Sequence, residues 1–176
     1  MGRYAHDERE QRWLMRAVPA AAVRVGEIHD RYIAGTTMRL RRVVATDDPS
    51  TAVYKLGQKV RVVDGDPEVV RLTNMYVSPA EYDVLSQLPG AELRKTRFRV
   101  LAGDRRFAVD ELHDRWHGLV LAETELAADE HLLDIVEVVG VPLVRDVTHD
   151  DRFSGGALAT ASAGEVAALL AESARW

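Results

Sequence analysis

The sequence contains no cysteine among its 176 residues, which excludes disulfide bonds and thiolate metal sites. It also lacks any run approaching the ~20 apolar residues of a membrane-spanning helix, and no apolar leader-like segment stands at the N-terminus. The net charge of −5 argues against nucleic acid as a partner. From these absences we expect a cytoplasmic protein with no membrane contact.

The remaining composition is typical of one globular domain. Hydrophobic residues make up 47% of the chain and charged residues 29%, which is ordinary for a folded protein. A chain of 176 residues can bury one sizeable core but is short for two. We therefore expect a single domain over residues 1–176, either a monomer or a homodimer.

Most of the chain alternates polar and apolar residues, which is the period of a β-strand. About eight segments show this pattern, separated by turn signals such as 64–67 and 103–104. Helices are predicted after the capping boxes that begin at Ser78 and Ser162, the second running to about residue 175, and over 129–138. Hairpins rather than βαβ crossovers predict an α+β fold, and eight strands suffice for a closed antiparallel β-barrel with a few flanking helices.

Several predicted strands carry charged residues on one face. Glu8, Glu10 and Arg12 share a side of the first strand, because successive side chains alternate. The same parity brings out further acids and bases on later strands: Asp110, Glu123, Glu125, Arg39, Arg41, Lys55, Lys59, Lys95 and Arg97. Such charges are costly to bury unpaired, so an inward-facing set must pair or bind a ligand.

The residues alone leave two interpretations of these faces open. In one, the sheet has a solvent-exposed face of cross-strand ion pairs. In the other, the charges line the interior of a barrel, where carboxylates suit Mg²⁺ or Mn²⁺ and the cations suit phosphate oxygens. A metal ion and several cations around one polyanion are the apparatus of phosphoryl transfer.

Seven short motifs stand in one order between about residues 8 and 158: Glu8-Arg9-Glu10-Gln11-Arg12, Asp30-Arg31-Tyr32-Ile33 with Arg39-Leu40-Arg41, Tyr54-Lys55-Leu56, Lys95-Thr96-Arg97, Val109-Asp110, Glu123-Thr124-Glu125 and Asp146-Val147-Thr148. In this order they resemble the motifs of the CYTH domains, also called triphosphate tunnel metalloenzymes. The resemblance implies an eight-stranded tunnel that binds a divalent metal and a triphosphate. The implied reaction is metal-dependent hydrolysis of inorganic tripolyphosphate, or of a nucleoside or other organic triphosphate, with release of phosphate.

The resemblance also implies roles for individual residues. Metal binding falls to Glu8, Glu10, Asp110, Glu123 and Glu125, and triphosphate binding to Arg12, Arg39, Arg41, Lys55, Lys59, Lys95 and Arg97. Arg12, Lys55 and Lys95 are the expected catalytic residues.

One position departs from the family pattern. Arg12 stands where the family has lysine, and an arginine stays protonated, so it can hold phosphate but cannot act as a general base. Two alternatives stand beside the triphosphatase, the first from within the same family and the second made plausible by Arg12. One is an adenylate cyclase of the class IV type, which converts ATP to cyclic AMP and pyrophosphate, and the other is a non-catalytic module that binds polyphosphate or nucleotide.

Overall fold

The computed structural model describes residues 5–48, 50–61 and 69–175. The turn predicted at 64–67 lies outside these ranges. The described strands are β1 (Ala5–Met15), β2 (Val23–Ile33), β3 (Met38–Ala45), β4 (Ala52–Arg61), β5 (Val69–Tyr76), β6 (Gly90–Ala102), β7 (Arg105–Leu112), β8 (Val120–Glu125), β9 (Glu137–Val138) and β10 (Val141–Asp146). The described α-helices are α1 (Pro79–Leu85), α2 (Gly155–Thr160) and α3 (Ala163–Ser173).

Eight of these strands close into a barrel. Their order is β5-β4-β3-β2-β6-β7-β8-β1, and β5 pairs with β1 to complete the circle. Every pairing is antiparallel. The predicted closed eight-stranded barrel is thus confirmed. The last residues of β1 also pair with β10, which in turn pairs with β9, so a short ribbon extends the sheet.

Two predicted helices are present and one is wrong. Ser78 and Ser162 each cap a helix with the reciprocal bonds of a capping box, and these helices are α1 and α3. Residues 129–138 form no helix, although their apolar residues have helical spacing. The buried side chain of Gln11 accepts a hydrogen bond from the Leu133 amide at 2.7 Å and donates one to the Leu133 carbonyl at 3.1 Å. These bonds replace those that a helix would supply. Among the described helices, none has the length and apolar content to cross a membrane.

The C-terminal segment packs against the barrel through an apolar cluster. Leu93, Leu112 and Leu121 have the inward parity of their strands and pack with Phe153 and Leu158. All five are at most 5% exposed. Their contact fixes the segment that carries α2 against one part of the barrel interior.

Candidate active site

The barrel encloses a cavity of about 570 Å³. Every residue that the sequence analysis assigns to metal, triphosphate or catalysis lines this cavity: Glu8, Glu10, Arg12, Arg39, Arg41, Lys55, Lys59, Lys95, Arg97, Asp110, Glu123 and Glu125. The charged strand faces therefore point inward. The alternative of a solvent-exposed charged face does not describe this structure.

One wall of the cavity is acidic and is formed by β1 and β8. Their register places Glu10 directly opposite Glu125 and Arg12 opposite Glu123. Two carboxylates in directly opposed positions repel each other. Lys59 reaches across from β4, with its Nζ 3.2 Å from Glu10 Oε2 and 3.4 Å from Glu8 Oε2. This wall concentrates more negative charge than Lys59 alone can balance.

Arg12 is held within that wall. Its Nε donates to Glu123 Oε1 at 2.6 Å, and its Nη1 donates to the Phe153 carbonyl at 3.3 Å. Burial favours the neutral form of Glu123, but the charges of Arg12, Lys95 and Arg97 outweigh it and hold the pKa of Glu123 well below its usual value. Glu123 is therefore ionised, and the Arg12 guanidinium is oriented by a carboxylate and by the C-terminal segment.

The basic wall, formed by β2, β3, β6 and β7, adjoins the acidic wall, since β7 pairs with β8 and Arg97 Nη2 lies 3.6 Å from Glu123 Oε2. Its cations are anchored by two buried aspartates. Arg41 donates from Nε and Nη2 to the two oxygens of Asp30 at 2.6 and 2.7 Å. Arg97 donates in the same way to Asp110, at 2.7 Å for both bonds. Lys95 Nζ lies 2.5 Å from Asp110 Oδ2. Both Asp110 oxygens are therefore taken up by cations.

Burial and the neighbouring cations shift the pKa values in this wall. Burial disfavours the charged form of Lys95 and lowers its pKa, although Asp110 opposes the shift. Burial acts against ionisation of Asp30 too, but the hydrogen bonds and charge of Arg41 dominate and lower the Asp30 pKa to about 2. Both aspartates are consequently charged at neutral pH.

Lys55 differs from the other cations. Within the described residues Lys55 forms no ion pair, and its Nζ lies 5.1 Å from the ring centroid of Tyr76. Its register partner on β3 is Arg41. Lys55 thus adds a positive charge to the cavity that no nearby carboxylate cancels.

Two inward-facing residues of β2 were not predicted as site residues: Tyr32, which lines the cavity, and Asp30, which is 0% exposed. Asp30 is fully buried in the barrel wall, whereas Tyr32 is partly buried and packs against the apolar cluster of the C-terminal segment. Burial and the Asp30 carboxylate raise the pKa of Tyr32 to about 12, so its hydroxyl keeps its proton. Asp30 and Tyr32 stand two positions apart in 30–33, so strand parity places them on one face of β2. That face lacks the repeated charges that marked the inward faces of the other strands.

The carboxylates of the acidic wall suit a hard divalent cation. Glu8, Glu10, Glu123 and Glu125 offer only oxygen donors, which Mg²⁺ and Mn²⁺ prefer. Asp110, the fifth predicted metal ligand, differs from them in that its oxygens bind Lys95 and Arg97. In the described part of the chain, no three Asp, Glu or His side chains converge as a ready-made metal cluster. The repulsion between Glu10 and Glu125 is nevertheless what a shared cation would relieve.

The fold and cavity define a class: a closed antiparallel barrel whose interior carries an acidic and a basic wall. Solved structures of this fold include the inorganic triphosphatase NE1496, with a TM-score of 0.58 and 17% identity over 88% of this chain and 95% of that one. A second structure, described as the hypothetical protein NE1496, has a TM-score of 0.57 and 18% identity over 88% of this chain and 98% of the other. No protein-family model matches the sequence, and a search of curated proteins finds no match. The tunnel fold implied by the resemblance to CYTH domains is confirmed.

Proposed function

We propose that this protein is a metal-dependent triphosphatase that hydrolyses a triphosphate inside the barrel. The observation that carries the proposal is the pairing of an acidic wall with a basic wall around one cavity of about 570 Å³. A linear triphosphate needs cations along its length and a metal-binding carboxylate set beside them. The shared fold with a protein described as an inorganic triphosphatase supports the same reaction class.

The basic wall binds the substrate in this proposal. Arg39, Arg41 and Arg97 offer guanidinium edges to phosphate oxygens, and Lys59 adds an ammonium group at the acidic wall. Lys55, which forms no ion pair within the described residues, contributes net positive charge. Together these residues hold the triphosphate in one orientation and neutralise it.

Arg12, Lys55 and Lys95 act on the phosphoryl group that is transferred. Each lines the cavity and can stabilise negative charge that develops on phosphate oxygens. Because Arg12 cannot accept a proton, it serves as a clamp in this account.

Glu8, Glu10, Glu123 and Glu125 would hold the metal ion. When bound, Mg²⁺ or Mn²⁺ supplies Lewis-acid polarisation of phosphate oxygens and of water. The carboxylates would hold it beside the cations of the basic wall. The location we propose is the cytoplasm, for a monomer or a homodimer.

A substrate panel tests this function. Purified protein is incubated with tripolyphosphate, ATP or thiamine triphosphate and with Mg²⁺ or Mn²⁺, and all products are identified. Orthophosphate release with metal supports the hydrolase, while pyrophosphate together with cyclic AMP identifies a cyclase. A folded protein that turns over none of the three substrates with either metal contradicts the proposal.

A non-catalytic polyphosphate-binding module is the second candidate. The observation that favours it is the Arg12–Glu123 ion pair, because it holds a permanently protonated guanidinium, which cannot act as a general base, where the family has lysine. Tight tripolyphosphate binding without turnover would select this candidate.

A further inference from the structure

Two arginines in the cavity are clamped in the same geometry. Arg41 and Arg97 each donate from Nε and Nη2 to the two oxygens of one aspartate, with all four bonds between 2.6 and 2.7 Å. The carboxylate therefore occupies the same edge of the guanidinium in both pairs. Within the described residues, Nη1 of neither arginine donates a hydrogen bond, and Arg97 Nη2 additionally lies 3.6 Å from Glu123 Oε2. The edge that carries Nη1 can therefore face a ligand.

The two aspartates are buried to an unusual degree for charged residues. Asp30 is 0% exposed and Asp110 is 2% exposed. Buried ion pairs rarely stabilise a fold more than apolar residues of the same size would, because desolvation offsets their attraction. Two such pairs in one cavity therefore indicate a role other than stability.

We propose that Asp30 and Asp110 are positioning residues, each fixing one guanidinium by its Nε–Nη2 edge so that the free edge is presented to phosphate oxygens. The proposal rests on the triphosphate-binding part of the proposed function. It gives Asp110 a role different from metal binding and adds Asp30, which has no charged neighbour on its own strand face. Preorganised donors need no rearrangement when the anion arrives, which is why fixed guanidiniums bind phosphate well.

A plain counter-charge role makes the opposite prediction from a positioning role. If Asp30 only lowered the positive charge of the cavity, its removal would leave one more net positive charge there and tighten binding of a polyanion. If Asp30 positions Arg41, its removal frees the guanidinium to rotate and weakens binding in spite of the added charge. The sign of the change in affinity separates the two roles.

Calorimetric titration with inorganic tripolyphosphate tests this on the full chain. We expect Asp30→Asn to weaken binding roughly 10- to 100-fold, the range for loss of a well-oriented charge-assisted contact. We expect Asp30→Glu, which keeps the charge but lengthens the side chain, to weaken binding as well. Unchanged or tighter binding in folded Asp30→Asn overturns the proposal.

The chain provides a matched control outside the barrel. Asp7 accepts from Arg71 Nε and Nη2 at 2.8 and 3.0 Å, so the pair has the same edge geometry as the two clamps. Both residues have the outward parity of β1 and β5, and neither lines the cavity. Asp7→Asn should leave tripolyphosphate affinity within twofold of the wild type, roughly the noise of the method.

The outcomes also separate this inference from the proposed function. If wild-type protein binds tripolyphosphate but releases no phosphate, the proposed hydrolysis is contradicted. The positioning role of Asp30 is then still tested by the change in affinity of Asp30→Asn. If wild-type protein does not bind tripolyphosphate, the clamp is overturned too. If Asp30→Asn does not fold, Asp110→Asn applies the same sign test at the second clamp, and unchanged affinity there is equally contrary.

Discussion

Glu10 and Glu125 face each other directly across β1 and β8, so two carboxylates share one register position in the cavity. Like charges in opposed strand positions destabilise a sheet. A cation bound between the two carboxylates would offset their repulsion, so the pair indicates a metal-binding role.

Replacing Glu125 should stabilise the fold while removing the response to metal. Glu125→Gln relieves the repulsion with Glu10 and leaves the Glu10–Lys59 contact in place. We expect the melting temperature without metal to rise by about 1–3 °C. The additional stabilisation that Mn²⁺ gives the wild type should shrink. Thermal unfolding with and without Mn²⁺ measures both effects.

The control for this prediction is Glu137→Gln, an exposed residue of β9 away from the cavity. It should change neither the melting temperature nor the response to Mn²⁺. A Glu125→Gln protein that melts lower than the wild type, yet responds fully to Mn²⁺, would contradict a shared cation at this wall.

Arg12→Lys tests the departure from the family pattern. The shorter side chain gives up the contact to the Phe153 carbonyl, but an ammonium can lose its proton and a guanidinium cannot. We expect phosphate release to become several-fold faster, with a new dependence on pH at alkaline values. Initial rates across pH for the two proteins make the comparison. The control is Arg94→Lys, at an exposed outward position of β6. Equal rates for Arg12→Lys and the wild type would show that Arg12 does not limit catalysis.

Protonation of Asp30 should lower the free energy of unfolding at acid pH. Its pKa in the folded protein is about 2, against an ordinary value of 3.8. Because the folded-state pKa is the lower one, its contribution is fully present above 3.8 and is lost as the pH falls towards 2. The contribution amounts to about 2 kcal/mol.

Urea unfolding at several pH values measures this contribution. The difference in unfolding free energy between wild type and Asp30→Asn should be largest near neutral pH and narrow below about pH 4. A difference that stays constant down to about pH 2 would show that Asp30 does not titrate as described.

The C-terminal segment meets the barrel at a position where only glycine fits. A Cβ on Gly155 would collide with the Tyr32 hydroxyl, whereas a Cβ on Gly156 would lie 3.7 Å from the ring, in ordinary contact. We expect Gly155→Ala to destabilise the protein by about 1–3 kcal/mol and to displace Tyr32 in the cavity. Chemical denaturation compares the two variants, and Gly156→Ala should be close to neutral. Equal stability of the two variants would show that Tyr32 yields freely.

The inward faces of most strands could be predicted because a strand has a period of two and the charges repeat with it. Asp30 carried no such repeat, since its neighbours on the same face of β2 are Ile28 and Tyr32. Residues 129–138 misled because their apolar spacing is helical, while the decisive hydrogen bonds come from distant Gln11. Helix α2 begins with Gly155 and Gly156, which have low helix propensity, so the N-cap at Ser154 was too weak a signal to predict it.

The sequence could not predict which charged residues of the cavity wall pair with one another, for a different reason. Asp110 looked like a metal ligand because acids with inward parity suit metals. Only the register of β6 and β7 shows that Arg97 stands directly opposite it. Long-range register decides whether a carboxylate meets a cation or another carboxylate, and parity alone does not.

The central claim is tested most directly by orthophosphate release from tripolyphosphate with Mg²⁺, measured for the wild type, Glu10→Gln and Glu137→Gln side by side. The account predicts metal-dependent release by the wild type and Glu137→Gln, and a loss of at least roughly 100-fold in Glu10→Gln. Release by Glu10→Gln at the wild-type rate, or none by folded wild-type protein, would contradict it.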